Sequence, residues 1–584
     1  MEDRDDSQPT PTRHRWIAVA GMVVLAVVLA ILLQPAFKAP LVFDDLISLK
    51  QIETFDSVAD ALGSDVFSLF RPVKNVFFYL MEQAGASAVA YHWVTLAAYL
   101  VATLGVFALA RRLTGSPLWA LAAAAIWSLS AAHVSTAIWP SALNISVAAA
   151  SMAFGLTLWD RWRGESGRLP DGIGFFLLLA LGLCSYETAV ATAPLAVMFD
   201  LYRGRRLFAR SSIARYAGIA VVVIAWLLIR HQSGSSTARL NNPSFTTEIE
   251  NWQIAASAPY FLWTHFLMWL APWGRLEFLG SYLWDRSIPA IIIPFCWLML
   301  IGIGVLCIRF WKPGNLFVLG LAWFFLAAFP SGNFVPLGNT PYADYYVPIP
   351  AIGLTLATVA ILRSLLRLSR KADIEPSAKR FALVLLALVV TARAANLVEL
   401  RVWASAWTVP VEMMARTAAA RPHQYLAKMV VAQVMVDHGR PDLAEPFARK
   451  AIEDTEGIST PYVVLGRVHY EREEFEEAMA MLQAAREKRH IDPESPQSIN
   501  YYLGKMIGRD PARTEEAFAH LLEVLRRPSS DFHLRAILAA AEMYGNAGDS
   551  EKQRHQLTRG LDFHPENPQL LAALEALGEG PEDE

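Results

Sequence analysis

Asp44 and Asp45 stand side by side just beyond the first long apolar run of the chain, and Arg71, His133, Glu187, Arg230, His231 and Asp344 flank later ones. A carboxylate can take a proton from a hydroxyl, and a guanidinium pairs with phosphate through parallel hydrogen bonds. Ionisable groups at membrane depth are costly unless they are partnered or used. Each residue also has a plain structural reading. Asp44 and Asp45 fit loop carboxylates near a membrane surface. Arg71, fixed before Pro72, fits an interfacial cation and His133 an interior histidine. Arg230 fits an anchor at a span end, and Asp344 a helix cap. Glu187, in Ser185-Tyr186-Glu187-Thr188, resists the plain reading most, because a lone carboxylate between apolar helices needs a partner. Trp139, Trp263, Trp269, Trp273 and Trp284 fit interfacial belts as well as a ligand cavity.

The elements that must position these residues are long apolar segments. The chain has 584 residues, 54% of them hydrophobic and only 18% charged, where soluble domains run near a quarter charged. A bilayer-crossing helix needs about 20 apolar residues. Eleven segments are expected to cross: 16–34, 91–110, 118–138, 140–158, 173–186, 188–201, 216–231, 288–308, 314–330, 346–363 and 381–397. Segment 255–271 is apolar but reads as re-entrant or interfacial. The first span follows Arg13 and Arg15, and no small-x-small cleavage site follows it, so it reads as an anchor and not a removed signal. The expected layout is a tail over 1–15, a membrane domain over 16–400 with loops at 35–90 and 232–287, and a connecting segment over 401–424. A repeat domain follows over 425–570, then an acidic tail over 571–584.

Positive residues favour cytoplasmic loops. Arg13 and Arg15, Arg111 and Arg112, Arg161 to Arg168, Arg203 to Arg210, Arg309 and Lys312, and Arg367 to Arg380 all fall on one side if the spans alternate. The N-terminus is then inside, and the repeats and all the ionisable residues of the first paragraph are outside. The net charge of −3 and the lack of a clustered basic element exclude a nucleic-acid partner. Cys184, Cys296 and Cys307 lack metal-site or disulfide-framework spacing, and no metal cluster is expected.

Beyond residue 424 the pattern changes to an internal repeat. Ala444, Ala448 and Ala451 recur as Ala478, Leu482 and Ala485, an offset of 34 residues, which is the tetratricopeptide (TPR) period. Leu465-Gly466 precedes Ala478 at the matching spacing. A third unit runs from Leu503-Gly504 to Ala517 and Leu521, and a fourth over about 534–566 ends at Pro565. The fold class expected is all-α: a polytopic helical membrane domain followed by an α-solenoid of about four TPR repeats, whose partner is a protein or peptide.

Several stretches of the membrane part resemble the transmembrane-and-TPR-containing O-mannosyltransferases, within the GT-C class of membrane glycosyltransferases. Phe43-Asp44-Asp45 with Ile47 looks like that family's first-loop Asp-Asp motif. Phe70-Arg71-Pro72-Val73 and Tyr91-His92-Trp93 are similar to its next elements. His133-Val134 with Ala137-Ile138-Trp139, Ser185-Tyr186-Glu187-Thr188 with Pro194, and Phe329-Pro330 to Asn333 with Ala343-Asp344-Tyr345-Tyr346-Val347-Pro348 follow in the family's order. Val134 stands where the family has Pro, Tyr186 where it has Lys, and Asp344-Tyr345 where it has Glu-Arg.

The resemblance implies transfer of a sugar from a polyprenyl-phosphate donor to a protein or glycan on the outer side, with the lipid-linked sugar as co-substrate and no cofactor. Asp44, then Asp45, would be the catalytic base. Arg71 and Arg230 would hold the donor phosphate. His133, Glu187, His231 and Asp344 would contact sugar or acceptor, with orienting Arg71 as the other role open to Glu187 and His133. A bacterial inner membrane with the repeats in the periplasm fits the short loops, and an endoplasmic-reticulum membrane with lumenal repeats is the alternative. One rival reading is an oligosaccharide ligase or polymerase using a diphosphate-linked glycan, for which the loop with Arg239, His265, Arg275 and Arg286 is poor in Arg and His. Another is a non-catalytic, membrane-anchored TPR scaffold. A transporter is disfavoured because no inverted repeat or matched pair of broken helices is found. Asn144-Ile145-Ser146 matches a glycosylation acceptor but lies in or beside a span.

Overall fold

The structure is a computed structural model that describes residues 11–64, 69–164, 167–233, 251–273, 291–334, 342–371, 374–409, 411–412, 414–415, 418, 425–455, 457–490, 494–528, 530, 532–565 and 567–577. Among these residues the regular elements are helices, and an isolated bridge pairs Ile458 with Arg489. The chain divides into two compact units, one ending at Ala420 and one beginning at Arg421, a division that falls inside the expected connecting segment.

In the first unit the described part of every expected span carries helix, but not every helix is long enough to cross. Among the described residues seven qualify by length and composition: Trp16–Lys38, Ala88–Thr114, Pro140–Trp162, Arg210–Gln232, Ile292–Arg309, Pro348–Arg370 and Pro376–Ala406. An eighth would be the pair Pro117–Ser128 and Ala131–Ile138, which is bent by 67°. The expectation of eleven spans is thereby corrected to about seven. Leu169–Ser185, Thr192–Tyr202 and Leu316–Ala328 have 17, 11 and 13 residues. At about 1.5 Å per residue they fall short of the roughly 30 Å hydrocarbon layer. Apolarity marked these segments correctly, but breaks at Tyr186 and at Phe329-Pro330 shorten them. Pro140 separates the bent pair from the next helix, because proline cannot continue a helix from the residue before it.

Two kinds of packing hold this unit. Long helices such as Ile292–Arg309 keep Phe295, Leu298, Ile301 and Val305 exposed, an apolar face suited to lipid. Leu316–Ala328 and Pro348–Arg370 instead meet backbone to backbone. A Cβ on Gly320 would lie 2.5 Å from the Gly353 carbonyl oxygen, and one on Gly353 would strike the Gly320 carbonyl oxygen in turn. Small residues let helices approach this closely. At one end of the bundle, wholly buried Asp160 accepts hydrogen bonds from Arg112, Arg203 and Arg205 at 2.7–3.0 Å. Buried Asp200 accepts from Arg163, Arg205 and Tyr216. These carboxylates gather arginines from three of the basic clusters seen in the sequence. Asn144 is wholly buried, so its acceptor pattern has no exposed side chain.

The second unit consists of helix pairs: Tyr425–Asp437 with Pro441–Asp454, Ser459–Glu471 with Phe475–Arg486, Ser495–Ile507 with Thr514–Leu525, and His533–Asn546 with Ser550–Phe563, followed by Pro568–Glu575. Ala444, Ala448, Ala451, Ala478, Leu482, Ala485, Ala517 and Leu521 are all fully buried, as the 34-residue offset requires. Gly466 and Gly504 occupy equivalent places, where an added Cβ would press on Leu482 and Leu521 respectively. Each pair closes around a small residue, and stacking buries the rest. This unit is a TPR solenoid.

Candidate functional site

The expected site residues lie on breaks and helix ends, where the backbone can turn side chains toward one another. The Asp-Asp pair opens the helix Asp44–Ile52. Phe43, which precedes it, has φ of 55°, a strained conformation for a residue with a Cβ, and the two carboxylates then diverge. Asp44 is half-buried. Asp45 is wholly buried. Its Oδ1 accepts from the Ser141 N–H at 2.9 Å and the Ser141 hydroxyl at 2.6 Å, and its Oδ2 from the Val42 N–H at 3.1 Å. Burial pushes the Asp45 carboxyl up to about 7, although Ser141, Val42 and Lys74 all favour its ionised form.

Arg71 is the residue before Pro72, the first residue of the helix Pro72–Gln83. Its Nε and Nη2 both donate to Glu187 Oε2, at 3.2 and 3.0 Å. Its guanidinium also lies 4.7 Å from the centre of the Tyr186 ring. Glu187 sits at the break between Leu169–Ser185 and Thr192–Tyr202. Its other oxygen, Oε1, makes no hydrogen bond and faces Arg230 Nη2 at 3.9 Å. One carboxylate thus gathers two of the expected cations. Asp344, in the turn Asp344–Tyr346, is buried, and its Oδ2 accepts a short hydrogen bond from the Ser135 hydroxyl. The N–H groups of Ser135 and Tyr345 also face this carboxylate, and burial pushes it up to about 7. Tyr346, two residues on, lies within the electrostatic reach of Arg71 and Tyr186.

Of the remaining expected residues, His133 lies in the turn Ala131–His133, which packs on Asp344–Tyr346, and His231 stands apart. His133 is buried with its Nδ1 on the Tyr99 hydroxyl at 3.2 Å and its ring against Trp127. None of these contacts is to Asp45, Arg71 or Glu187. His231 is exposed at the end of Arg210–Gln232, one position past Arg230 and so turned about 100° away around the helix. Arg239, Arg275, Arg286 and Trp284 lie outside the described residues.

Two residues were given no role from the sequence. Lys74 is almost fully buried. Burial pulls its ammonium down to about 8 against the attraction of Asp44 and Asp45. Its spacing from Arg71, three positions across the start of a helix, is the signal that places both on one face. His92 is buried with Nδ1 2.7 Å from the Ile138 carbonyl oxygen and Nε2 3.0 Å from that of Ala39. It ties the stretch of chain leading to Asp45 to the one leading to Ser141, a contact that the Tyr91-His92-Trp93 element does not by itself reveal.

Beside this polar group runs an apolar groove of about 640 Å³, lined by the helices Asn251–Leu270, Ile292–Arg309 and Leu316–Ala328. Its lining residues on Ile292–Arg309, from Cys296 through Ile303 to Cys307, recur at helical spacing on one face. The helix Asn251–Leu270 faces the groove with Leu262, Trp263 and Phe266. With His265 it meets the Tyr346 ring, the two ring centres 5.9 Å apart.

No family model matches the chain, and no curated protein does. Among solved structures it is similar to YrrB, a TPR protein with an unusual peptide-binding site, at 18% identity and a TM-score of 0.16, over 28% of this chain and 98% of that one. It is also similar to yeast Tom70, at 13% identity and a TM-score of 0.25, over 81% of this chain and 94% of that one. The solenoid assignment rests on the helix pairs and their buried small residues.

Proposed function

We propose that the chain is a membrane glycosyltransferase of the GT-C kind, which moves a sugar from a polyprenyl-phosphate donor to a protein or glycan hydroxyl on the outer side of its membrane. The observation that carries this reading is the Arg71–Glu187–Arg230 group beside the Asp-Asp turn, with Lys74 between them. Cations held by a shared carboxylate are preorganised to stabilise charge on a departing phosphate. Asp44, the more accessible carboxylate, takes the proton of the acceptor hydroxyl. Asp45 holds the turn onto Ser141. The apolar groove is within the size range of small-molecule sites and suits the lipid chain of the donor. The basic clusters support the orientation, and the TPR unit supplies a surface for recruiting a protein acceptor.

The test is to incubate the purified protein, in lipid, with a panel of polyprenyl-phosphate sugars and follow release of polyprenyl phosphate. Release with one sugar, lost in D44N and R71A, supports the reading. No release from folded protein with any donor shifts the assignment to a diphosphate-linked glycan ligase or a TPR scaffold.

A further inference from the structure

His265 has no exposed surface, and neither of its ring nitrogens has a hydrogen-bond partner among the described residues. Buried polar atoms left in this condition are expensive, and a native fold keeps few of them without a use. Two further buried polar atoms near the same turn make no hydrogen bond among the described residues: Asp344 Oδ1, and Glu187 Oε1, which faces only the Arg230 guanidinium at 3.9 Å. Tyr346 links the three residues. It follows Asp344 by two positions, its ring meets that of His265 edge-on, and it lies within electrostatic reach of Arg71, which holds Glu187.

We infer that His265, with Asp344 and Glu187, forms the polar wall of a subsite for the sugar of the lipid-linked donor, reached when the Tyr346 ring turns aside. This rests on the glycosyltransferase reading above and names a residue which that reading does not use. The chemistry of the wall selects the ligand. A neutral imidazole offers one donor and one acceptor, and the two carboxylates offer acceptor oxygens, a set that matches adjacent hydroxyls, which both donate and accept. The helix Asn251–Leu270 selects the donor over the acceptor. One of its faces lines the apolar groove through Leu262, Trp263 and Phe266, and the next carries His265. A molecule with an apolar chain in the groove therefore presents its polar head to His265.

The experiment compares melting temperatures of the full-length protein in lipid, with a polyprenyl-phosphate hexose and with the same polyprenyl phosphate lacking the sugar. The wild type is expected to gain more from the sugar-bearing lipid. H265F is expected to melt at or above the wild-type temperature without ligand, since an apolar ring replaces unsatisfied nitrogens. It should respond equally to both lipids, with its KM for the donor raised about fivefold to tenfold and kcat changed less. H265Q, which keeps a donor and an acceptor, should recover part of the sugar-dependent gain. If H265F keeps that gain, or fails to accumulate as folded protein, His265 is structural and the subsite is wrong while the glycosyltransferase reading stands. If neither lipid stabilises the wild type, the glycosyltransferase reading itself is overturned.

Discussion

Arg71 and Glu187, 116 positions apart, are joined by two hydrogen bonds to a single oxygen, Oε2, at 3.0 and 3.2 Å. The side chains are only about one-fifth exposed, at 19% and 21%, so the pair is shielded and yet reachable. The Tyr186 ring under the guanidinium holds the cation without the repulsion a lysine there would bring. The arrangement holds the Arg71 guanidinium on Glu187.

Breaking this pair separates folding from transfer. E187Q leaves Arg71 without its counter-charge and should cost roughly 1–3 kcal/mol of stability, together with most of the activity. The exchange R71E/E187R restores an ion pair in the same place and should recover much of the stability. It should not recover transfer, because the cation no longer stands where the Pro72 turn puts it. Thermal melts beside donor-release rates check this. Recovery of both would make the pair purely structural.

Asp45 and Lys74 give opposite slopes of stability with pH. The fold holds the Asp45 proton more tightly than the unfolded chain does, from 3.8 up to about 7. Its contribution to stability is therefore greatest at low pH and is lost as pH rises through that interval. The fold holds the Lys74 proton less tightly, from 10.5 down to about 8, so stability returns as pH rises from about 8 toward 10.5. Wild-type protein should be least stable between about pH 7 and 8, where both buried groups are charged, and D45N should lack the fall on the acid side. Melting temperatures across pH for wild type, D45N and K74M test this.

Transfer should be fastest in that same interval, with a bell-shaped dependence on pH. S141A removes the hydroxyl hydrogen bond that most favours ionised Asp45, so its acid limb should move to higher pH. S135A acts on Asp344, and a larger movement there would assign the acid limb to Asp344 instead. Donor-release rates between pH 5 and 9 for the three proteins decide the matter.

Two glycine positions should respond differently to alanine. At Gly353 the new methyl would meet the Gly320 carbonyl oxygen and the Phe324 nitrogen, backbone that cannot rotate away. G353A should therefore carry the full cost of overpacking, about 1–3 kcal/mol. At Gly466 the new methyl would meet the Leu482 side chain, 2.9 Å from its Cγ, and that side chain can adjust. Alanine also favours helix over glycine by about 1 kcal/mol, so G466A should be nearly neutral. Melting of each variant against wild type checks the contrast.

What the sequence determined by itself is everything that depends on periodicity and on hydrophobic length. The apolar runs place helices at each expected segment, and the recurrence from Ala444 to Ala478 specifies paired helices closing around small side chains. The Asp-Asp turn, Arg71, Glu187 and Asp344 were legible because charge is costly beside apolar helices and must be explained. The tertiary structure decided what depends on where the chain bends and on what meets across it. The breaks at Ser130, Tyr186 and Phe329-Pro330 leave about seven of the eleven apolar segments as helices long and apolar enough to cross, since apolarity does not register the length between bends. Which of two adjacent aspartates is buried was decided by Ser141, 96 positions later, and the use of Glu187 by Arg71, 116 positions earlier. His265 counted in the sequence only as one of the few Arg and His residues of its loop, and folding buried it with neither ring nitrogen hydrogen-bonded among the described residues. Burial and long-range partners are properties of the packed chain, and no local spacing encodes them.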